Sequence, residues 1–316
     1  MTARPQISVV VPLYNKRPFV AEAIASVTQQ SFSDYEIIVI DDGSTDDGAG
    51  VVTALALPGL RLLRQENAGV AAARNRGLAA ATADLVAFLD ADDVWHRHHL
   101  HHLHGLARAY PAAGLFANGF EERHSVTSPG REIDNVEYRL IDDFIAEAGI
   151  GRAWVFTSAA MVRRDVALGV GGFPVGESRG EDLDLWLRIA LAYPVAVSDY
   201  VGCIYRRVSG SLTATQQVLA PDIAMRRIGA FLATNGSFAP ERRIGLEELY
   251  NRLAIAHATD CLAGGNVQAA RAFLALAAET RRWRRRWRSL HWLARAPAWS
   301  SGILFKIQRQ LHAARR

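Results

Sequence analysis

Two hydrophobic patterns alternate along the first ninety positions. Ile7-Ser8-Val9-Val10-Val11, Glu36-Ile37-Ile38-Val39-Ile40, Leu60 to Arg64 and residues 84–89 are short apolar runs, the form that buried strands take. Between them Phe19, Ala23, Ile24 and Val27 recur at helical spacing, which predicts a helix over 18–30. Ser44, Thr45 and Asp46 can cap a second helix reaching about Leu55, and the Ala-rich segment from Gly69 to Ala81 predicts a third. Strands alternating with helices imply βαβ units and a mixed, mostly parallel sheet of the α/β class, flanked by helices.

The pattern turns mixed between about 115 and 210. Trp154 to Val162 reads as a strand, Gly171-Gly172-Phe173-Pro174 as a turn, and Val195 to Tyr205 as one or two strands. Asp182 to Ala192 places Leu183, Trp186, Leu187 and Ala190 on one helical face. Beyond about 213 no strand pattern returns. Residues 216–280 read as packed helices, with Leu246, Leu249, Leu253 and Ala256 as one stripe. The expected division is an α/β domain over 1–213 and a helical region over 214–316.

Polar residues at the strand ends carry the chemistry. Asp90-Ala91-Asp92-Asp93 follows the run Leu85-Val86-Ala87-Phe88-Leu89 and packs three carboxylates into four positions. Ligands bind at the carboxyl ends of strands in α/β sheets, and clustered carboxylates repel one another unless a cation or ordered donors sit among them. A divalent cation holding a phosphorylated substrate fits that arrangement; capping of the following helix is the simpler alternative. Asp41-Asp42-Gly43-Ser44 repeats the logic at a second strand end, where an Asp-Gly turn is the plain alternative. Glu181-Asp182 opens the predicted 182–192 helix and suits either general-base chemistry or dipole compensation.

Composition narrows the classes. Half of the 316 residues are hydrophobic and 22% are charged, as expected of a globular chain with a sizeable core. Cys203 and Cys261 share no ligand spacing and suggest a reducing compartment without a disulfide framework. No signal-peptide succession and no run of 18 apolar residues is present, so a cytoplasmic protein is expected. The net charge of +4 conceals an asymmetry. Residues 281–316 hold eleven Arg and Lys and no acid, which leaves 25 basic against 32 acidic residues elsewhere, a balance of −7.

The strand-end motifs, taken in order, resemble the family-2 glycosyltransferases of the GT-A fold. The resemblance runs through Val11-Pro12-Leu13-Tyr14-Asn15, Ile40-Asp41-Asp42-Gly43-Ser44-Thr45-Asp46, Asn67-Ala68-Gly69 with Ala73-Arg74-Asn75-Arg76-Gly77, and Phe88-Leu89-Asp90-Ala91-Asp92-Asp93. It continues through Gly171-Gly172-Phe173 and Gly180-Glu181-Asp182-Leu183-Asp184-Leu185-Trp186-Leu187-Arg188, so it spans roughly 6–207. It implies a nucleotide-sugar site built from Pro12, Tyr14, Asn15, Asp41, Asp42, Arg76, Asp90 and Ala91. Within that site Asp42 would meet a uracil-like base and Asp90 the ribose. The resemblance further implies that Asp92 ligates Mg²⁺ or Mn²⁺, that Asp182 is the general base and that Glu181 supports the acceptor. The implied reaction is inverting, metal-dependent sugar transfer from a UDP-linked donor to a glycan or lipid-linked acceptor in surface polysaccharide or lipopolysaccharide synthesis. Asp184 and Arg188, an i, i+4 pair, read as structural.

Two other classes stand as alternatives. A sugar-nucleotide nucleotidyltransferase would carry a Gly-rich, Arg-containing loop after the first strand, where this chain has Pro12-Leu13-Tyr14-Asn15-Lys16-Arg17. A non-catalytic nucleotide-sugar-binding module would be signalled by loss of Asp92 or Asp182, and both are present.

Two outliers lie outside these motifs. His96, His98, His99, His101, His102 and His104 crowd nine positions and read as a solvated helix face rather than a metal site. Arg281 to Arg288 interleaves arginine with Trp283 and Trp287, which align with Leu290 and Ala294; Ile303, Leu304, Ile307 and Leu311 form a second stripe. A basic helix with Trp on its other face suits an anionic membrane surface, with peripheral attachment to the inner face of the cell membrane. Packing within the molecule is the alternative, and nucleic acid is not expected.

Overall fold

The computed structural model describes residues 4–123, 135–207, 219–234, 238–278 and 282–295. The chain divides into two compact units, Met1–Phe144 with Trp154–Ser209 and Ile145–Ala153 with Gly210–Arg316. This differs from a cut at 213 in two respects: the boundary falls after Ser209, and residues 145–153 belong with the helical region.

The first unit begins as the sequence pattern predicts. Strands β1 (Ile7–Leu13), β2 (Tyr35–Asp42), β3 (Leu60–Gln65) and β4 (Leu85–Phe88) alternate with helices α1 (Val20–Thr28), α2 (Gly48–Ala54) and α3 (Val70–Ala80). They pair in parallel, in the order β3-β2-β1-β4. β1 is buried along its whole length because helices cover both faces of a parallel sheet. α3 lies close on β1: a Cβ at Gly77 would sit 2.2 Å from Val10 Cγ1, so only glycine fits. The parallel register sets Leu13 beside Asp41 and Asp42 beside Gln65, bringing the carboxyl ends of these strands to one edge.

The second half of the sheet is mixed. β5 (Val94–Trp95), α4 (His99–Ala109), β6 (Leu115–Arg123) and β7 (Tyr138–Ile141) precede α5 (Phe144–Gly149). β8 (Ala160–Arg163), α6 (Arg164–Gly169), α7 (Glu181–Ala190) and β9 (Val195–Arg206) follow. β8 runs antiparallel between β4 and β6, and β9 pairs parallel with β6 and antiparallel with β5 and β7. The strand expected over 154–162 is shorter than the sequence suggests. Thr157–Ala159 form a 3₁₀ turn, and only Ala160–Arg163 pair in the sheet. The reason is chemical: the Thr157 and Ser158 hydroxyls turn toward carboxylates.

Within the second unit, helices α8 (Ile223–Ala233), α9 (Pro240–Ala263), α10 (Val267–Leu276) and α11 (Arg284–Arg295) follow the helical expectation. Leu246, Leu249 and Leu253 are buried, but Ala256 is exposed, and the α9 stripe runs instead through Ala254, His257, Ala258 and Cys261. Arg252 Nη1 donates to Ala148 O at 2.6 Å, tying α9 to residues 145–153. No described helix is long and apolar enough to cross a membrane.

Candidate active site

Two carboxylate clusters form at the strand ends, joined by the loop after β1. The first closes the β2–β3 edge. Asp42 is buried, and its oxygens accept bonds from Gln65 Nε2 at 2.7 Å, Ala68 N at 2.9 Å and Gly69 N at 2.9 Å. It thus staples the loop entering α3. Asp41 Oδ1 accepts from Ser44 N at 3.0 Å, and Arg64 Nε lies 3.9 Å from its other oxygen. Arg76 Nη1 donates to Arg64 O at 2.6 Å and reaches Gln65 Oε1 at 3.4 Å, so Arg76 belongs to this cluster.

Asn15 binds the loop after β1 to this cluster. Its backbone is left-handed (φ 52°), and its Oδ1 accepts from Thr45 N at 2.8 Å and Asp46 N at 3.3 Å. Tyr14 beside it is 42% exposed, whereas Pro12 is buried within β1. Lys16, the next residue of the loop, makes an ion pair with Asp92 and so spans the two clusters.

The second cluster gathers Asp90, Asp92, Asp93, Glu181 and Asp182. Arg74 is its hub: Nη2 meets Asp90 Oδ1 at 2.7 Å, Nη1 meets Glu181 Oε1 at 2.9 Å, and the guanidinium stacks 5.4 Å from the Phe173 ring centre. Burial would lower the Arg74 pKa, but Asp90 and Glu181 more than offset that, so it stays charged. Burial and then the neighbouring Asp182 push the Glu181 carboxyl up, against the pull of Arg74. Asp182 Oδ2 accepts from Thr157 Oγ1 at 2.8 Å and its Oδ1 from Leu183 N at 2.7 Å, leaving a lone-pair site on each oxygen. Adjacent Ser158 donates to Asp93 Oδ2 at 2.5 Å and accepts from Asp90 N at 3.0 Å. Thr157-Ser158 therefore joins the α7 carboxylates to those that follow β4.

Not every acid of the motif faces outward. Asp93 is buried, accepts from Arg206 N at 3.0 Å, and is raised well above the usual carboxylate range by burial and then by Asp90 and Asp92. Ala91 is buried beside it. Asp184 and Arg188 pair at 2.7 Å, and Arg188 Nη2 donates to Gly172 O at 2.6 Å, consistent with a structural role. Asn75 clamps Phe173 through both amide atoms, Nδ2 to Phe173 O at 2.7 Å and Phe173 N to Oδ1 at 2.8 Å. A Cβ at Gly172, which has φ +66°, would sit 2.5 Å from Asn75 Oδ1. The Gly171-Gly172-Phe173 turn is thus a buttress for Arg74.

The donor set fits a hard divalent cation. It is all oxygen, and four acidic side chains, Asp90, Asp92, Glu181 and Asp182, face the two cations Lys16 and Arg74. Among the described residues no group of three or more His, Cys, Asp or Glu side chains could hold a metal unaided. Asp92 would need phosphate oxygens to complete a shell, as is usual for Mg²⁺. Sequence reasoning named Arg76 and passed over Arg74, Lys16, Thr157 and Ser158. The Arg74 signal was present, since it shares the buried stripe of Ala71 and Leu78 at helical spacing.

The histidine run corrects another expectation. His96 and His99 are buried, His98, His102 and His104 are half-buried, and only His101 is exposed. His99 Nδ1 lies 3.0 Å from Asn118 Nδ2, and His102 Nδ1 lies 3.1 Å from Tyr138 Oη. This helix face packs on β6, β7 and β9 instead of facing water.

A family model described as "Glycosyl transferase family 2" matches residues 8–167. An uncharacterized glycosyltransferase of Nostoc sp. is 35% identical over 51% of this chain and 52% of its own length. One of Rickettsia conorii is 30% identical over 58% of this chain and 30% of its own. The chain thus spans about half or less of these curated relatives. An uncharacterized protein of Mycobacterium tuberculosis is 30% identical over 69% of this chain and 72% of its own length. Among solved structures, S. aureus TarS 1-349 in complex with UDP-GlcNAc superposes with TM-score 0.66 at 18% identity, covering 97% of this chain and 92% of that one. The mannosyltransferase PcManGT of Pyrobaculum calidifontis, with GDP-Man and Mn2+, superposes with TM-score 0.60 at 22% identity, over 97% of this chain and 86% of that one. At these identities the likeness to both structures concerns the GT-A-like fold.

Proposed function

Because the chain belongs to glycosyl transferase family 2, we propose that it transfers a sugar from a nucleotide diphosphate sugar, UDP-linked, to an acceptor hydroxyl with inversion. The observation that carries this reading is the bridge of Arg74 and Thr157-Ser158, which gathers Asp90, Asp93, Glu181 and Asp182 at one sheet edge, with Asp92 paired to Lys16 beside them. Family membership sets the nucleotidyltransferase alternative aside.

In this reading Tyr14, Asn15 and Asp41 line the base side of the donor. Asp42 and Arg76 serve them by holding the loops between β2, β3 and α3. Asp90, oriented by Arg74, meets the ribose. Mg²⁺ or Mn²⁺ held by Asp92 would supply Lewis-acid polarisation of the diphosphate. Lys16, paired with Asp92, would be free to turn to a phosphate oxygen of the donor where Mg²⁺ or Mn²⁺ occupied that carboxylate. Asp182, fixed by Thr157, accepts the proton of the acceptor hydroxyl on the side opposite the leaving nucleotide. One base and one displacement invert the anomeric carbon. Glu181, held by Arg74, shapes the acceptor side. A glycan or lipid-linked acceptor of a surface polysaccharide or lipopolysaccharide, met at the inner face of the cell membrane through 281–316, completes the proposal.

The test is a thermal-shift screen of nucleotide sugars, UDP- and GDP-linked, with and without Mn²⁺. A saturating donor at one hundred times its Kd should stabilise by about 2.7 kcal/mol, and chelation should reduce that gain. Asp182→Asn should keep the shift while turnover falls about 10²–10⁴-fold. Asp92→Asn should lose the Mn²⁺-dependent part of the shift. A shift indifferent to Mn²⁺, or full turnover in Asp182→Asn, would overturn the assignment.

A further inference from the structure

The two cations of the site, Arg74 and Lys16, are held in different ways. Arg74 is fixed: it is 3% exposed, meets Asp90 and Glu181, and lies over the Phe173 ring. Lys16 pairs with Asp92, and its side chain is 26% exposed. Its backbone, by contrast, is anchored. Asn15 N donates to Ser44 Oγ at 3.2 Å and Arg17 N to Asp46 Oδ2 at 2.8 Å, so the residues on either side are tied to the loop after β2. Lys16 O accepts from Phe19 N and Val20 N, both at 3.0 Å, and closes the start of α1. The ammonium therefore sits at the end of a flexible stem on a fixed base.

The chemistry at this position favours exchange. Lysine carries a compact, strongly hydrated ammonium with three rotatable donors, without the planar fork that locks an arginine on a carboxylate. Carboxylate and phosphate oxygens are both charged acceptors for it. Among the described residues Asp92 pairs with no cation other than Lys16. A divalent cation arriving alone has to compete with Lys16 for that carboxylate. A donor diphosphate offers the ammonium a second anionic partner, and it offers the metal the oxygens that Asp92 cannot supply.

We infer that Lys16 is an exchangeable counter-cation that couples nucleotide binding to metal binding. It neutralises Asp92 in the nucleotide-free protein and passes to the diphosphate of the donor. Asp92 then takes a divalent cation together with the nucleotide and not ahead of it. This order of assembly rests on the assignment of the metal to Asp92 above. The coupling is reciprocal: nucleotide strengthens metal binding by the same factor as metal strengthens nucleotide binding. Removing Lys16 therefore has opposite effects on the two ligands taken singly, easing the metal onto Asp92 and depriving the diphosphate of a contact. Loss of a merely structural pair would weaken both or neither.

The test is Mn²⁺ binding by the full chain, read from the free-ion signal in electron paramagnetic resonance, alone and with UDP or GDP. Metal-free binding of the same nucleotides is read by calorimetry. Asp92→Asn supplies the baseline for Mn²⁺ held elsewhere on the chain. The wild type should bind Mn²⁺ at least about tenfold more tightly with its nucleotide than without. Lys16→Met should tighten Mn²⁺ alone about threefold, as for release of a partly exposed ion pair. It should weaken metal-free nucleotide about tenfold, through loss of a bond between charged groups. Lys16→Arg, which keeps the charge, should return nucleotide affinity toward the wild type. Lys16→Gln replaces Lys16→Met should the latter fail to fold. Both affinities unchanged, or both weakened, would overturn the role of Lys16 while Mn²⁺ above the Asp92→Asn baseline keeps the metal assignment. No Mn²⁺ above that baseline with either nucleotide would overturn the metal assignment and the coupling with it.

Discussion

Arg74 and Arg76 are two positions apart on α3 (Val70–Ala80) and have opposite environments. Arg74 is 3% exposed and meets two carboxylates, whereas Arg76 lies at the β3 rim on a backbone carbonyl. Removing one partner of a buried charge network leaves the others uncompensated, at a cost of about 3–5 kcal/mol. Arg74→Met should therefore lower the Tm by roughly 10 °C, at about 2–4 °C per kcal/mol for a domain of this size. Arg76→Met should shift the Tm by only about a degree or two, as expected for a substitution costing under 0.5 kcal/mol away from such features. Equal effects in differential scanning fluorimetry would contradict the hub role of Arg74. This residue also marks how far the sequence could be read. Its place on a buried helical stripe was legible; its partner Glu181 lies 107 positions away, beyond the reach of any local pattern.

His102 gives a second residue-scale prediction. Burial first, and then His101 and His98, lower its pKa to about 4, against a weaker opposing pull from Asp199. Tyr138 and Tyr200 pack on its ring. The unfolded chain takes up this proton near pH 6.5, where the folded protein still refuses it. The unfolded state then binds more protons, so the His102 contribution is intact above about pH 6.5 and is lost as pH falls toward about 4. His102→Asn should flatten the Tm-versus-pH curve within that window; an unchanged slope would place the acid sensitivity elsewhere, with buried His99 next in line.

At the scale of elements, the site depends on a turn that carries no chemistry of its own. Phe173 packs edge-on against Phe88 of β4 (5.2 Å, 89°) and against Trp186 of α7 (6.0 Å, 75°) while supporting the Arg74 guanidinium. Asn75 and Arg188 hold its backbone from both sides. Gly172→Ala adds a left-handed alanine and a Cβ in the space of Asn75 Oδ1, which should cost about 1–3 kcal/mol. It should also weaken donor-induced stabilisation, because Arg74 and Asp90 shift together. A destabilised variant with an unchanged donor shift would separate the turn from the site. The sequence showed this turn as Gly-Gly-Phe-Pro without its purpose. It likewise showed the parallel strands, whose runs are buried on both faces, while hiding the β8 start, where two hydroxyls leave the strand for carboxylates.

At the scale of the whole molecule, chain order and folding units diverge. Composition changes near 213, where the strand pattern stops, and that change is visible to the eye. The α5 segment 145–153 escapes such reading because nine residues carry no compositional signal, yet it packs with 210–316. Within that unit Arg252 caps Ala148 O, and Ile145 and Ala148 are fully buried. A fragment ending at 213 strands these apolar side chains in water, with about 2 kcal/mol forfeited for Ile145 alone and the Ala148 carbonyl left without its donor. The 1–213 fragment should therefore melt below the full chain or aggregate. Ile145→Ser and Ala148→Ser, placed in the fragment, should recover solubility by making the exposed segment polar. The same pair in the full chain should instead destabilise, because the buried hydroxyls then need partners. A fragment that melts with the full chain would mean that residues 145–153 need nothing from the helical unit, and the boundary would return to 213.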